Sequence, residues 1–166
     1  GKKEPSSQPA ELGKIIHTTL QIMVDKGYDI NFAIDKAIEI EQAKFEHDRK
    51  EIFWLVNNGV SFFGEFQHPL ITEKHSVIEI DTNPEDIFSS KYKIQGYLDV
   101  LSNTSIWDWK SGRTKSDLMQ LKVYGLLAVL EGKKIKTARQ IYLRDKEVVE
   151  IEINNETIIE AKEWLI

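Results

Sequence analysis

The chain has 166 residues, 41% of them hydrophobic, so it is long enough to bury one core and is expected to form a single domain. It contains no cysteine, which excludes disulfides, thiolate zinc sites and iron–sulfur clusters. No apolar run reaches the roughly 20 residues of a membrane span, and no basic-then-apolar secretion leader is present. We therefore expect a soluble, cytoplasmic protein in which oxygen or imidazole groups hold any metal.

The net charge of −5 is distributed unevenly along the chain. The stretch 91–144 holds eleven Lys or Arg and four Asp or Glu, a surplus of seven positive charges, whereas the remainder is acidic. A local basic field of this kind can attract a phosphate backbone even on an acidic protein. A solvated basic helix and hairpin would give the same pattern.

The N-terminal part of the sequence predicts helices. Residues 1–10 are rich in Lys, Ser, Gln and Pro without periodicity, and we expect a flexible lead-in there. Apolar residues at helical spacing then predict three helices, over 11–26, from Asp29 or Asn31 to about Glu46, and over 49–56. Gly27 is expected to end the first helix, and Asn57-Asn58-Gly59 the third.

The rest of the sequence predicts a sheet with two further helices. Strands are expected over 60–71, 76–80, 91–101 and 105–110, with turns at 81–84 and 102–104. A capping box at 114–117 introduces a helix that reaches about Leu130 and ends at Gly132. A hairpin over 137–143 and 148–153 and a helix over 156–165 complete the order, which predicts an α/β or α+β fold with a mixed central sheet. Because the chain lacks an initial Met and stops inside a predicted helix, the domain at 11–166 is expected to come from a larger protein.

Two carboxylates and a lysine lie on consecutive predicted strands. If Asn103 and Thr104 form a two-residue hairpin loop, Asp99 lies directly opposite Asp108 on one face of the sheet. Like charges about 5 Å apart are destabilising unless a cation neutralises them. Lys110 points to the same side, so the group suits phosphoryl transfer with Mg²⁺ or Mn²⁺. An exposed hairpin with alternating charges is the alternative.

Three flanking residues could belong to the same site. Gln120 and Tyr124 are spaced i, i+4 and share one helix face, where they could touch a phosphate or orient the lysine. His17 lies at the rim of an apolar helix face, and Gly13 one turn earlier allows a neighbour to approach closely. The alternatives are an ordinary helix surface for the Gln/Tyr pair and a satisfied boundary residue for the histidine.

These residues form an ordered motif set. The strings Leu-Gly-Lys-Ile-Ile-His at 12–17, Gly-Tyr-Leu-Asp at 96–99, Asp-Trp-Lys at 108–110 and Gln-Leu-Lys-Val-Tyr at 120–124 resemble the motifs of RecB-type nucleases of the PD-(D/E)XK superfamily. The sequence is similar in particular to the C-terminal nuclease domains of RecBCD- and AddAB-type helicase–nucleases. The resemblance spans roughly residues 11–143 and implies an α/β, restriction-endonuclease-like fold, a mixed central β-sheet flanked by helices.

The resemblance also implies a ligand set for Mg²⁺ or Mn²⁺. His17, Asp99 and Asp108 would bind the metal, with the backbone carbonyl of Trp109 as a further ligand. Lys110 would be the catalytic lysine.

Other family residues contact DNA or support the site. Gln120 and Tyr124 match the family's glutamine–tyrosine pair. The family often has an additional acid on the first long strand, for which Glu65 is the candidate, and a surface glutamate is the alternative.

The implied activity is that of a Mg²⁺-dependent deoxyribonuclease, an exonuclease acting on single- or double-stranded DNA ends in recombination or repair. The four cysteines that hold an iron–sulfur cluster in several relatives are absent. No Gly-x-x-x-x-Gly-Lys-Ser/Thr loop is present, so a helicase motor would belong to another domain or subunit. A catalytically inactive DNA-binding or scaffolding domain is the alternative, and an RNA-directed member stays open.

Overall fold

A computed structural model describes residues 7–81, 91–115 and 117–165, with segments 73–81 and 91–98 described by their backbone alone. Within these residues the chain forms five α-helices, one 3-10 helix and five strands. In chain order they are α1 Gln8–Lys26, α2 Ile30–Ile40, α3 Arg49–Val60, the 3-10 helix Phe63–Glu65, β1 Leu70–Asp81, β2 Lys91–Ser102, β3 Ser105–Lys110, α4 Met119–Leu130, β4 Thr137–Tyr142, β5 Glu147–Glu152 and α5 Asn155–Leu165.

Helix α1 begins earlier than predicted. The Ser7 hydroxyl accepts the N–H of Ala10, and Pro9 lies in the first turn, where its missing N–H breaks no bond. Residues 8–10 therefore belong to the helix and not to the predicted lead-in, whose residues 1–6 lie outside the described chain. Gly27 ends the helix as predicted, with φ +66° and its N–H bonded to the Met23 carbonyl.

The next two helices have different lengths from those predicted. Helix α2 ends at Ile40 because Gln42 adopts φ +50° and the Ala43 N–H bonds back to the Ile38 carbonyl. Helix α3 continues to Val60, through the predicted turn.

The predicted strand over 60–71 is therefore wrong for most of its length, since the 3-10 helix follows α3 and β1 starts only at Leu70. The predicted strand at 76–80 lies inside β1, and the turn at 81–84 falls largely outside the described residues.

The five strands form one sheet in the order β1-β2-β3-β4-β5. Strands β1, β2 and β3 are antiparallel neighbours, and the predicted hairpin register is confirmed by the pairs Val100–Trp107, Leu101–Ile106 and Ser102–Ser105. The Thr137 N–H donates to the Thr104 carbonyl, and the Leu143 N–H donates to the Lys110 carbonyl. The two bonds join residues that are equally far apart in sequence, so β4 runs parallel to β3. The short connection from β4 to β5 makes that pair antiparallel. The predicted α/β class with a mixed sheet is confirmed.

Helix α4 is the crossover between the parallel strands β3 and β4. It begins at Met119, later than the capping box suggested, and the Asp117 carboxylate accepts the Met119 N–H at 2.9 Å. Ser116 of that predicted box lies outside the described residues. In the described chain, no helix is both long and apolar enough to span a bilayer.

The chain divides into two compact units. Unit 1 holds the residues up to 66 together with 109–115 and 141–148, and unit 2 holds 67–108, 116–140 and the residues from 149 onward. Ile15, Leu20, Ile34 and Leu55 lie in the core of unit 1. The core of unit 2 includes a cluster formed by Leu101, Ile106, Leu121, Ala128, Ile135, Ala138 and Ile153.

Candidate active site

The two aspartates of the predicted site occupy the β2–β3 hairpin. The next position after the Val100–Trp107 pair in the observed register is that of Asp99 and Asp108. Asp108 is 4% exposed and Asp99 is half-buried, so neither carboxylate lies on an open surface. The alternative interpretation of the sequence, an exposed hairpin with alternating charges, therefore does not fit this region.

Helix α4 covers the hairpin on one side. Leu101 and Ile106 pack in the same hydrophobic cluster as Leu121 of α4, and the half-buried ring of Tyr124 packs against that cluster. Because side chains alternate along a strand, Asp99 shares a face with Leu101 and Asp108 shares one with Ile106. The helix therefore brings Tyr124 to the face of the hairpin that bears both acids.

Both acids act electrostatically on Tyr124. Burial, followed by the negative charges of Asp108 and Asp99, raises the pKa of Tyr124 to about 12. A hydrogen bond from the Gln120 amide Nε2 to the Tyr124 hydroxyl, at 3.0 Å, acts in the opposite direction. Four of the residues singled out in the sequence thus lie together in unit 2.

Tyr124, with a pKa of about 12, is protonated at every physiological pH, as a tyrosine with the ordinary value of 10 would be. Since Gln120 donates to the hydroxyl oxygen, the hydroxyl's own proton remains for another acceptor. Tyr124 can therefore act as a hydrogen-bond donor beside the two carboxylates, but not as a general base.

The end of β3 is anchored within unit 1. The Trp109 ring is 1% exposed and lies 6.4 Å from the Phe63 ring and 6.1 Å from the Phe66 ring, measured between centroids. The Lys110 carbonyl accepts the Leu143 N–H at 2.9 Å. The half-buried Lys110 side chain points to the same side of β3 as Asp108, since they are two residues apart.

His17 lies on the half of α1 that faces the end of β3. A Cβ built on Gly13 would lie 3.2 Å from the Ser111 hydroxyl oxygen, which confirms the predicted close approach at this glycine. His17 is one turn further along the same helix face and is half-buried. It belongs to unit 1, whereas Asp99 and Asp108 belong to unit 2, and its role as a shared ligand stays a prediction.

The placement of Glu65 on the first long strand is wrong. This residue lies in the 3-10 helix, is exposed, and precedes the start of β1 by five residues. The pairs Thr72–Val100 and Lys74–Leu98 instead put Glu73 at the register position opposite Asp99. Sequence reasoning missed Glu73 because it ended the first strand at Ile71 and began the next at Ser76.

The donor chemistry of this region suits a hard divalent cation. Among the described residues, no three or more His, Asp or Glu side chains are grouped closely enough to hold a metal ion. Mg²⁺, however, usually keeps several waters and is bound through one or two carboxylates plus substrate phosphates. Asp99 and Asp108, with the Trp109 carbonyl, are donors of that type.

Comparison with known proteins places the chain in a family. Residues 2–164 match the sequence profile of the PD-(D/E)XK nuclease superfamily. The chain belongs to this superfamily, and its mixed five-stranded sheet with helices is the restriction-endonuclease-like α/β fold of these proteins. Nucleases of the superfamily generally use divalent metals such as Mg²⁺, and membership implies DNA as the substrate.

The remaining comparisons give weaker relationships. No curated protein sequence matches the chain. The crystal structure of SSO0001 is similar over 98% of this chain and 75% of its own, with 18% sequence identity and a TM-score of 0.43.

Proposed function

We propose that this chain is a metal-dependent deoxyribonuclease of the RecB type, an exonuclease that acts on DNA ends in recombination or repair as the module of a helicase–nuclease. The observation that carries the proposal is the register of the β2–β3 hairpin, which brings Asp99 and Asp108 to adjoining strands on the face that Tyr124 of α4 covers. The carboxylates of Asp99 and Asp108 both act on the Tyr124 hydroxyl. They lie on the β2–β3 hairpin, and β3 ends at Lys110. The order of the four motifs along the sequence supports the RecB type.

In the proposed reaction each side chain has a separate task. Asp99 and Asp108 would hold a divalent cation, which would supply positive charge to the phosphate and lower the pKa of a water. The water oxygen bonds to phosphorus and releases a proton to solvent as the opposite P–O bond breaks in line, and the leaving oxygen takes up a proton from solvent. Lys110 offsets the negative charge that grows on the phosphate oxygens. Gln120 orients the neutral Tyr124 hydroxyl, which donates to the substrate or to the site.

One further acid and a histidine would complete the ligand set. His17 would contribute an imidazole, and Glu73 at the position opposite Asp99 is a better candidate than Glu65 for the additional acid. Substituting Glu73 or His17 should therefore weaken Mn²⁺ binding in calorimetry, whereas substituting Glu65 should not.

The central test distinguishes DNA cleavage from DNA binding, and attack at DNA ends from attack at interior sites. The purified protein is incubated with end-labelled linear DNA and with closed circular DNA of the same sequence, in Mg²⁺, Mn²⁺ or EDTA. We expect linear DNA to be degraded, circular DNA to survive, and both to survive in EDTA. Cutting of circular DNA would contradict the exonuclease assignment, and cutting in EDTA would contradict the metal requirement.

Lys110→Ala should reduce the cleavage rate at least ~100-fold, because it removes charge needed in the transition state. DNA and metal binding should persist, since the side chain is not a metal ligand. Lys26→Ala removes an exposed lysine at the end of α1 and serves as the charge-matched control. A Lys110→Ala protein that cuts at the wild-type rate would refute the assignment.

The alternative function is that of an inactive DNA-binding or scaffolding domain. The lack of a three-membered group of metal-ligating side chains among the described residues favours it. The position of Asp99 and Asp108 beside Tyr124 disfavours this alternative. Two neighbouring carboxylates repel each other, and a domain that only binds DNA gains nothing from that repulsion. DNA binding without cleavage in either metal would support this alternative.

A further inference from the structure

Two cavities in unit 1 share one edge. The larger, of about 430 Å³, is bounded by the first turns of α1 and α3, and the smaller, of about 210 Å³, by Lys115, Tyr142 and Asp145. Gly112, Arg113 and Arg144 line both cavities. These three residues are called the arginine edge below.

The arginine edge lies next to the proposed catalytic lysine. Gly112 follows Lys110 by two residues, a span of at most about 7 Å along the chain. Neighbouring phosphates of one duplex DNA strand are about 3.4 Å apart along the axis. A strand whose scissile phosphate lies at Lys110 therefore reaches this edge within about two nucleotides.

Most charges around the edge are already neutralised. Arg144 pairs with Glu51 at 2.9 Å. Lys115 pairs with Asp145 at 3.3 Å and with Glu147 at 2.7 Å, and its ammonium lies 3.8 Å from the centre of the Tyr142 ring. The charges of Arg144 and Glu51 cancel, and Lys115 with its two acids carries a net charge of −1, so the positive charge that no acid pairs at this edge is that of Arg113.

The acids that line the cavities are engaged as well. Asp48 caps α3 by accepting the Lys50 N–H at 3.0 Å. Asp145 accepts the Glu147 N–H at 2.9 Å in addition to its ion pair with Lys115. Neither of these carboxylates forms an ion pair with Arg113.

Arg113 differs from these residues. It is exposed, and within the described part of the chain it forms no ion pair. A guanidinium presents a planar set of N–H donors that matches two oxygens of one phosphate. Arg113 is thus a cation with its donors available at the edge.

The backbone that carries Arg113 is held in place. The Arg144 Nε donates to the Ser111 carbonyl at 2.9 Å, and the Leu143 N–H donates to the Lys110 carbonyl. Gly13 of α1 lies against the Ser111 hydroxyl. The backbone at Lys110 and Ser111, from which Arg113 extends by two residues, is therefore held before any ligand binds, which lowers the entropic cost of binding.

We propose that Arg113, three residues after Lys110, binds a backbone phosphate of the DNA strand within about three nucleotides of the scissile phosphate. This proposal rests on the proposed DNA cleavage. It assigns to the arginine edge the task of holding the strand in register while Lys110 acts on the neighbouring phosphate.

The test measures DNA affinity by fluorescence anisotropy in the Lys110→Ala background with Mg²⁺, so that binding is seen without cleavage. Adding Arg113→Ala should weaken binding about tenfold. It should also reduce the slope of log affinity against log salt by about 0.9 on duplex DNA. Arg113→Lys should keep the slope, and Lys26→Ala is the control. An unchanged slope in Arg113→Ala would overturn the proposal.

A scan of single methylphosphonates along the oligonucleotide locates the contact. Neutralising the phosphate that Arg113 binds should weaken binding by the arginine-containing protein but not by the Arg113→Ala protein. Equal losses in both proteins at every position would overturn the proposal and leave the nuclease assignment intact. Failure of the parent protein to cut linear DNA in Mg²⁺ or Mn²⁺ would instead refute the nuclease assignment.

Discussion

Tyr124 is the residue at which the electrostatics of the candidate site are measurable. Its hydroxyl lies near two acids and accepts a hydrogen bond from Gln120, so its ionisation reports the charge of its neighbours. The pKa of Tyr124 is about 12 in the native state and 10 in an ordinary tyrosine. Its contribution to the free energy of unfolding is therefore constant below pH 10 and is lost as the pH rises from 10 towards 12. The native state of unit 2 should accordingly weaken above pH 10, through this group, and not at neutral pH.

Asp108→Asn tests this arrangement directly. Removing the Asp108 charge should lower the pKa of Tyr124, but not to its ordinary value, because burial is the largest cause of the shift. The same change should weaken Mn²⁺ binding in calorimetry and, by relieving repulsion with Asp99, raise the melting temperature of the metal-free protein. The tyrosine pKa is read from tyrosinate absorbance after subtraction of a Tyr124→Phe titration.

Glu152→Gln, an exposed substitution in the same unit, is the control for Asp108→Asn. An unchanged tyrosine titration would mean that Asp108 does not act on Tyr124. An unchanged metal isotherm would remove Asp108 from the ligand set.

At the scale of elements, α1 supports the site by its contact with the loop after β3. The helix carries Gly13 where any side chain would press on Ser111, the residue that follows Lys110. The glycine therefore has a positional function that helix propensity opposes, since glycine is less favourable than alanine in a helix by about 1 kcal/mol.

Gly13→Ala should lower the cleavage rate while leaving stability nearly unchanged. The new Cβ, 3.2 Å from the Ser111 oxygen, displaces the loop, and we expect about a tenfold loss in kcat. The gain in helix propensity offsets the steric cost. Adding Ser111→Ala removes the obstructing oxygen and should restore the rate. Gly64→Ala, at a glycine with no atom within 4 Å of the new Cβ, is the control. Full activity in Gly13→Ala would show that the contact does not position the loop.

A second contact of α1 holds the connection between α2 and α3. The Glu11 carboxylate is 6% exposed and accepts the N–H groups of Lys44 and Phe45 and a bond from the His47 Nε2 at 2.9 Å. The Lys44 N–H is the largest cause that lowers the pKa of Glu11 from 4.5 to about 2. Because the native pKa is depressed, the stabilisation is present above pH 4.5 and is lost as the pH falls towards 2.

Glu11→Gln should therefore lower the free energy of unfolding at pH 7, since an amide cannot accept all of these bonds. The difference from wild type should shrink between pH 4.5 and pH 2, where the wild-type carboxylate becomes protonated. Urea denaturation at several pH values measures it, with the exposed Glu46→Gln as the control. A difference that stays constant down to pH 2 would contradict the carboxylate's role.

At the scale of the whole molecule, tertiary ion pairs reduce the basic surplus seen along the sequence. Lys115, Lys122, Arg139 and Arg144 each pair with an acid from another segment. Among the described residues of the stretch, those that form no ion pair are Arg113, Lys133, Lys134 and Lys136. Fewer phosphate contacts are therefore expected than the eleven basic residues of the stretch suggest.

The Michaelis constant for linear DNA should still rise with salt. About four phosphate contacts predict a loss of affinity of roughly ten- to hundredfold between about 50 and 200 mM salt. The rate at saturating DNA should change little, which separates binding from chemistry. A Michaelis constant independent of salt would mean that the basic stretch does not contact the backbone of DNA.

Several features of this protein could be predicted because their causes are local. Strand alternation and a two-residue turn determined the register of β2 and β3, which was predicted from the sequence and is confirmed by the three pairs from Val100–Trp107 to Ser102–Ser105. Gly27 ended α1 as predicted, since only a residue that tolerates φ > 0 fits there. The α/β class was predicted from the order of elements, and the nuclease superfamily from the resemblance of the four motifs to that family.

Tertiary contacts decided the remainder. The sequence by itself placed a turn at Asn57–Gly59, but α3 continues because the Asn58 amide bonds to the Leu143 carbonyl and Gly59 packs directly on Leu20. Partners distant in sequence also set the burial of Asp108 and the pairing of the basic residues. Local patterns fix backbone conformation over a few residues, whereas burial and charge depend on which segments meet after folding.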